Sequence, residues 1–459
     1  MAQEKPQNSP DVQTVNTKNP QLLKTLNSQG NNSAIAITPD GKTLLTGGNG
    51  KLEIWDLATG KSKFVLELFP KESGYLLNLN TIAIAPNGKY FITGSTGTFY
   101  TSNYTSKTRS ETRSEYTRDG YTIQVWDMET GKLLHTLSEK SSYQILKFSQ
   151  DGQSFLAMNQ EEGKVWNTQT WEKQRDFKME FKLTFCPQSI GVSPDLQTIT
   201  VAMWRRDQIL TQNIVDGSLR IYSVHKEGEK IAINSKKIVD GKDYYSGEIK
   251  NIKTGELKTL EDELEDELGD GKLGVGSRQK LLEEKRNDLL KMPWFLINIP
   301  IANVCTPISY NGKISVKLDV DSDDGSDSII VSNLSTANFK KFSGNISKRN
   351  FIDTQFKPEI MTVSPDYHTI ATTNNGKIGL WDVCHGKLIN TIDLGLKDGF
   401  TINLGSGSYI PAFTFIFTPD GNTLITGDNE GKIKFWQVND SAKSSDLKPA
   451  SCPIIQNAL

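Results

Sequence analysis

The chain of 459 residues carries 52 Lys and Arg against 54 Asp and Glu, a formal net charge of −2, with 36% hydrophobic residues and 37 glycines. That balance lacks the dense positive field of a nucleic-acid binder, and the glycine count fits many short strands and turns better than helical layers. No apolar run reaches 18 residues and the opening MAQEKPQNSPDVQTVNTKNP is polar, so neither a membrane span nor a secretory signal is expected.

In chain order, residues 1–19 read as a disordered segment, and PQLLKTLNSQG (20–30) reads as a strand similar to GKLLHTLSEKS (131–141). ITPDGKTLLTGGNGKLEIWDLATGK (37–61) then opens a pattern that returns at 148–170, 363–387 and 417–438. The aspartate and tryptophan keep register: Asp40 to Trp55, Asp151 to Trp166 and Asp366 to Trp381 are 15 apart, Asp420 to Trp436 is 16. Within each copy, apolar residues alternate in short runs broken by turn residues, which predicts a meander of antiparallel strands. IAPNGKYFITGS (84–95) with IQVWDMETGKLLHTL (123–137) makes another copy, SIGVSPDLQTITVAM (189–203) begins one, and ISYNGKISVKLDV (308–320) with IIVSNLSTANFKKF (329–342) makes one with Ser332 in the tryptophan's place.

One such sheet cannot bury both faces alone, so copies must stack, and a ring closes the stack without end caps. The aromatics at 55, 126, 166, 381 and 436 are expected to fill the gaps between sheets. The chain resembles the WD40 repeat family, with Trp55-Asp56, Trp126-Asp127 and Trp381-Asp382 as the signature pair and Trp166-Asn167 and Trp436-Gln437 as relaxed versions. The resemblance implies an all-β, seven-bladed propeller over residues 20–440. Eight blades is the alternative, because DGSLRIYSV (216–224) and GEIKNIKTGELKTL (247–260) both read as third strands; we take them as alternatives for one blade. The Gly-His pair that usually precedes each repeat is missing, which implies that the family's buried Ser/Thr-His-Asp-Trp network is not available. Because 441–459 offers no fourth strand for the last copy, Leu22, Leu23 and Leu26 are expected to supply it and cover an open edge.

Insertions carry the functional argument. Residues 96–120 add about 24 to the spacing between Asn87 and Trp126, and 319–327 add about six between Asn311 and Ser332. A surplus in the fourth blade is expected at Trp204-Arg205-Arg206-Asp207, again after a second strand, and the links 69–80 and 394–411 are long. In the family these connections share one face of the disc, the usual partner-binding face, and long loops on a rigid scaffold are where function tends to sit. A further insertion, 236–295, holds the acidic run Glu261 to Glu267 and a predicted short helix capped by Ser277, with Leu281, Leu282, Lys285, Leu289 and Leu290 on one stripe.

Chemistry is sparse. Asp319, Asp321 and Asp323 alternate like calcium ligands, but Asp324 and Ile330 stand where such a loop wants glycine and a bidentate acid. The four histidines, His135, His225, His368 and His385, are scattered, and no nucleophile, phosphate-loop or dinucleotide motif occurs. No catalytic, cofactor or metal residues are assigned. Cysteines 186, 305, 384 and 452 have no paired spacing and read as reduced thiols of a cytoplasmic protein. The expected function is therefore a non-enzymatic scaffold that binds protein partners through its loop-rich face, with Trp204, Arg205, Arg206, Tyr104 and Tyr116 as contact residues. The alternative is an enzyme or small-ligand-binding propeller with a site in the central channel.

Overall fold

The computed structural model describes the propeller strands and the tight turns joining them between Pro20 and Val438, together with Tyr143, Cys452 and Ile454; intervening segments such as 100–121, 203–207, 260–307 and 439–451 lie outside the described residues. All the regular structure described is β, arranged as seven antiparallel blades and one separate two-stranded hairpin. The blades fall at 34–67, 75–138, 145–178, 190–259, 308–343, 361–393 and 413–437. First strands of neighbouring blades approach one another, so they line the ring's interior and the fourth strands form its rim. The count is seven and not eight, and the predicted helix at 277–290 lies outside the described residues.

The seventh blade holds three strands of its own, and its fourth is Gln21–Asn27, antiparallel to Lys432–Gln437 with Leu26 opposite Ile433 and Leu22 opposite Trp436. Leu26 packs against the core between blades 7 and 1. Leu22 is 50% exposed and lies on the rim.

The fixed Asp-to-Trp spacing has a local cause at each end. Asp40 accepts the Thr38 hydroxyl at 2.6 Å and the Lys42 amide at 3.0 Å, closing the turn between the first two strands. Asp151, Asp195, Asp366 and Asp420 repeat this with Ser149, Ser193, Ser364 and Thr418. These bonds favour the charged form and hold the Asp40 and Asp151 carboxyls below the usual value. Gly41 supplies the left-handed residue that follows, φ 69°, and Leu196 and Tyr367 adopt the same conformation at φ 55° and 59° without being glycine. At the other end Asp56 accepts the Thr59 amide at 2.9 Å, and Asn167 and Asn333 serve the same turn, so asparagine replaces aspartate there without loss of the contact.

The tryptophan faces the preceding blade. Trp55 joins Ile425, Ile433 and Phe435 of blade 7, and Trp381 joins Val316 and Val331 of blade 5. Part of the polar network thought to be missing is present: Trp55, Trp126, Trp381 and Trp436 each donate the indole N–H to a threonine hydroxyl on the second strand, Thr46, Thr93, Thr372 and Thr426, at 3.0 to 3.2 Å. Threonine satisfies the indole without histidine.

Blade 4 departs from expectation. DGSLRIYSV belongs to its fourth strand, Leu219–Val224, and Gln208–Asn213 is its third. Gln212 stands at the tryptophan's place opposite Ile199, 17 residues after Asp195, so the connection at 203–207 carries about two extra residues and no large surplus. The surplus instead widens the sheet: Lys230–Val239, Lys242–Asn251 and Leu257–Thr259 add three strands outside the fourth, so the first part of 236–295 belongs to the blade. Two predicted loops are likewise partly strand. Tyr75–Ile84 pairs with Tyr90–Phe99 beyond the blade's usual length, and Thr401–Asn403 pairs with Tyr409–Pro411 as the separate hairpin.

Among the described residues, hydrophobic clusters fill six of the seven gaps, 1–2, 2–3, 3–4, 5–6, 6–7 and 7–1. Among the described residues no such cluster lies between blades 4 and 5, although alternation turns the buried Ile209, Tyr222 and Ile233 of blade 4 and Ile330 of blade 5 toward it. Ile199 and Val201 face blade 3 and Ile314 and Val316 face blade 6, so strand alternation turns Thr200 and Ser315 toward each other's blade. Ser332, opposite Ser315 where a tryptophan would lie, faces the same way. Thr200, Ser315 and Ser332 are each 0% exposed, and their hydroxyls have no hydrogen-bond partner. An unpaired buried hydroxyl costs about 1–3 kcal/mol, so each of the three weakens this seam.

The thiol assignment is also corrected. Cys384, in the turn after Trp381, is disulfide-bonded to Cys452 with a Cα–Cα distance of 5.2 Å, because the segment after the last strand returns to the ring. Cys186 and Cys305 lie outside the described residues.

Two outcomes are expected. Deleting residues 20–30 opens the seventh blade's outer edge, so thermal unfolding should shift down by several kcal/mol in stability and aggregation should rise; an unchanged melting temperature would refute the closure. Thr372→Val strands the Trp381 indole and should cost about 1–3 kcal/mol in urea unfolding, whereas Ser332→Ala removes an unpaired hydroxyl and should be neutral or stabilising.

Candidate functional site: the loop-bearing face

In a four-stranded meander the turns between strands 1 and 2 and between 3 and 4 lie at one end. Connections between strands 2 and 3, and the links to the next blade, lie at the other. The first end is paved by the aspartate and asparagine turns above. The second carries the strand extensions at 75–80 and 96–99 and the hairpin at 401–411.

The best-described part of this loop face is the junction of blades 7 and 1. The Ser28 amide donates to the Gly431 carbonyl at 2.7 Å and the Asn32 amide to the Asp428 carbonyl at 3.0 Å, tying the incoming link to the last blade. Below that link sits Glu53, only 6% exposed, which accepts the Gln29 amide at 3.1 Å. Asn31 Oδ1 and Asn32 Nδ2 beside it have no hydrogen-bond partner, and the residues enclose a small polar recess. Asn31 and Asn32 thus leave one acceptor and one donor unused beside Glu53, in a recess with room for about one water molecule. Glu53 was not singled out from the sequence. The signal was available, because in KLEIWD it shares the inward phase of Trp55, where a charged residue is unexpected.

None of the five predicted contact residues can be placed. Tyr104, Tyr116, Trp204, Arg205 and Arg206 all lie outside the described residues. For the last three the bracketing strands Thr198–Ala202 and Gln208–Asn213 are described. Asp321 and Asp323, the calcium candidates, are also outside, between Ile314–Val320 and Asp327–Asn333.

A channel enzyme needs convergent titratable groups. Among the described residues there is no group of three His, Cys, Asp or Glu side chains able to hold a metal. Lys147, on the first strand of blade 3, is the amine whose burial pushes its pKa down to about 8, against the opposing pull of Asp195. Its Nζ donates to the Val192 carbonyl of blade 4, a tie between blades.

The WD40 family (WD domain, G-beta repeat) matches residues 20–56 and 405–437. The first match begins on the strand that closes blade 7 and ends on the third strand of blade 1. A sequence repeat is thus offset by one strand from a structural blade. The protein is a seven-bladed β-propeller carrying WD40 repeats, a fold commonly used for protein–protein interaction. No curated protein matches the chain. No helix among the described residues is long and apolar enough to cross a membrane.

Core and loop tryptophans should separate in stability measurements. Trp381→Ala leaves a cavity between blades 5 and 6 and should cost roughly 3–5 kcal/mol, whereas Trp204→Ala, in a connection, should cost far less. Equal losses in urea unfolding would put Trp204 in the core.

Proposed function

We propose that the protein is a non-enzymatic scaffold that presents its loop face to one or more protein partners. The observation that carries this reading is the asymmetry of the ring: one end is closed by short repeated turns, while the other receives the extended hairpins and the variable connections. A stiff ring with one variable face holds contact residues at low entropic cost, the condition under which a few aromatic and arginine anchors dominate binding. Trp204, Arg205 and Arg206 in the connection of blade 4, and Tyr104 and Tyr116 in the insertion 96–120, are the proposed contacts. In this reading residues 20–440 are the propeller, 1–19 and 441–459 flank it, and nucleic acid is not a partner, in keeping with a net charge of −2. We place the protein in the cytoplasm on the scattered spacing of its cysteines; the Cys384–Cys452 pair argues the other way, and fractionation decides.

A tagged pull-down with and without residues 97–120, followed by mass spectrometry, identifies the partner. With a partner in hand, replacing Trp204, Arg205 and Arg206 together by alanine should weaken binding at least tenfold, about 1.4 kcal/mol, with the fold intact. Charge reversal at Lys61 or Lys132, on the opposite turns, should have little effect. Binding that survives the triple change and fails on Lys61 or Lys132 substitution would move the interface to the turn face.

A further inference from the structure

The recess at the junction of blades 7 and 1 places a carboxylate in the protein interior. Glu53 shares the inward phase of its strand, Lys51–Asp56, with Trp55, and it is 6% exposed under the link that enters blade 1. One of its oxygens accepts the Gln29 amide at 3.1 Å, and among the described residues no cation pairs with it. Lys51, also at the wall, faces Glu67 on the adjacent strand at 3.9 Å. A buried carboxylate without a counter-charge is costly, so the recess favours an occupant that neutralises it.

Two side-chain amides meet at the same place. Asn31 Oδ1 is buried and unpartnered, and Asn32, 1% exposed, is unpartnered at Nδ2. Glycines admit both: a Cβ at Gly48 would stand 1.5 Å from Asn31 Oδ1, and one at Gly427 would stand 2.7 Å from Asn32 Cβ. Ser28 gives its one hydroxyl hydrogen to the Gly30 carbonyl at 2.7 Å, and the same oxygen stands 3.1 Å from Asn32 Oδ1. With the Asn32 amide turned over, Nδ2 donates to Ser28 and Oδ1 takes the unpartnered place. One carboxylate and two amide carbonyls, all hard oxygen donors, then face a space for about one water-sized occupant.

We infer that this recess binds one monovalent metal cation, sodium or potassium, held by Glu53, Asn31 Oδ1 and Asn32 Oδ1. Oxygens of this kind replace the water shell of such an ion. Calcium takes about six to eight oxygens and tightens with the number of carboxylates, and magnesium keeps several waters, so one carboxylate and room for one ion suit neither. The link joins Gln21–Asn27 of blade 7 to Ala34–Ile37 of blade 1, so the ion sits at the closure of the ring. Its loss loosens first the Ser28 and Asn32 amides, which donate to Gly431 and Asp428.

Hydrogen exchange read by mass spectrometry on the full chain tests this in chloride salts of sodium, potassium and N-methyl-D-glucamine, a cation too large for the recess, at equal ionic strength. An ion at about ten times its dissociation constant slows exchange through opening of its site about tenfold. The peptide holding 28–33 should show that slowing in sodium or potassium relative to N-methyl-D-glucamine, while Lys377–Asp382 of blade 6 is unchanged. Equal exchange in all three salts would show that water alone fills the recess and would end the proposal. The slowing must also reach a plateau as the ion is raised in the wild-type chain; a steady rise without one is a general salt effect and overturns the site. Glu53→Gln keeps the shape and removes the charge, so the difference between salts should vanish, and a difference that persists defeats the assignment. Lys51→Met should keep the difference; one seen only in that variant would show that the Lys51 ammonium itself fills the recess, and the inference fails.

Discussion

The whole molecule rests on one constraint: a four-stranded sheet with two apolar faces is unstable until a neighbour covers each. In five of the seven blades the tryptophan of the third strand meets that constraint by reaching back to the preceding blade, as Trp55 does to Phe435 and Trp381 to Val331. A large flat ring buries much area, and its one polar atom is satisfied by a threonine on the adjacent second strand. Because each blade depends on the next, the ring must close. The offset between repeat and blade makes that possible, since the strand Gln21–Asn27 begins the first repeat and ends the last sheet.

One seam meets the constraint without a tryptophan and with three unpaired hydroxyls. Ser332 stands where blade 5's tryptophan would fill the gap to blade 4, and Ser315 stands opposite it where blade 1 has Leu44. Both sides of the seam then turn hydroxyls inward, Thr200 against Ser315 and Ser332, beside the buried Ile209, Tyr222 and Ile330. Blade 4 lost its tryptophan too, but Gln212 compensates by donating to the Lys178 carbonyl of blade 3 at 3.0 Å, beside a large aliphatic cluster. The two substitutions look alike in sequence and differ in consequence, because a long amide can reach across a gap and a hydroxymethyl cannot.

How much of this was legible in the sequence follows from how local each cause is. The Asp-Gly turns, the tryptophans and the closing strand are set by contacts within a few residues or by repetition, so register alone placed Asp40, Trp55 and Leu26. Blade 4 was misread because its third strand has neither tryptophan nor aspartate: Gln212-Asn213 gives no signal, and IYSV, with its aromatic, does. GEIKNIKTGELKTL read as a third strand, whereas it forms the outer strands of blade 4. The hairpin Lys230–Val239 with Lys242–Asn251 had a local mark in Asp240-Gly241 that was passed over, and the paired extensions at 75–99 read as loops. The disulfide was invisible because 68 residues separate Cys384 from Cys452, and only the fold brings them together. Of the contact residues, sequence offered chemistry without position. Glu53 is the reverse case, a charge in a buried phase whose meaning depends on the link Ser28–Ser33 folding over it.

The two ends of the ring differ in what their polar groups are free to do. On the turn face Asp40, Asp56, Asp127 and Asp151 are each engaged by neighbouring amides or hydroxyls that hold the carboxyl ionised, so these groups are committed to their own turns. A partner docking there would compete with contacts that fix the blade itself. At the described junction on the loop face, Asn31 Oδ1 and Asn32 Nδ2 keep hydrogen-bonding capacity that the fold does not use, beside Glu53, which accepts the Gln29 amide. A buried group with spare capacity costs stability in the free protein and returns it when a ligand fills it, and the stiffness of the ring keeps that return from being spent on rearrangement. The spare polar capacity at this junction thus lies at the end where the connections vary, while the carboxylates of the end that repeats are committed to holding the shape.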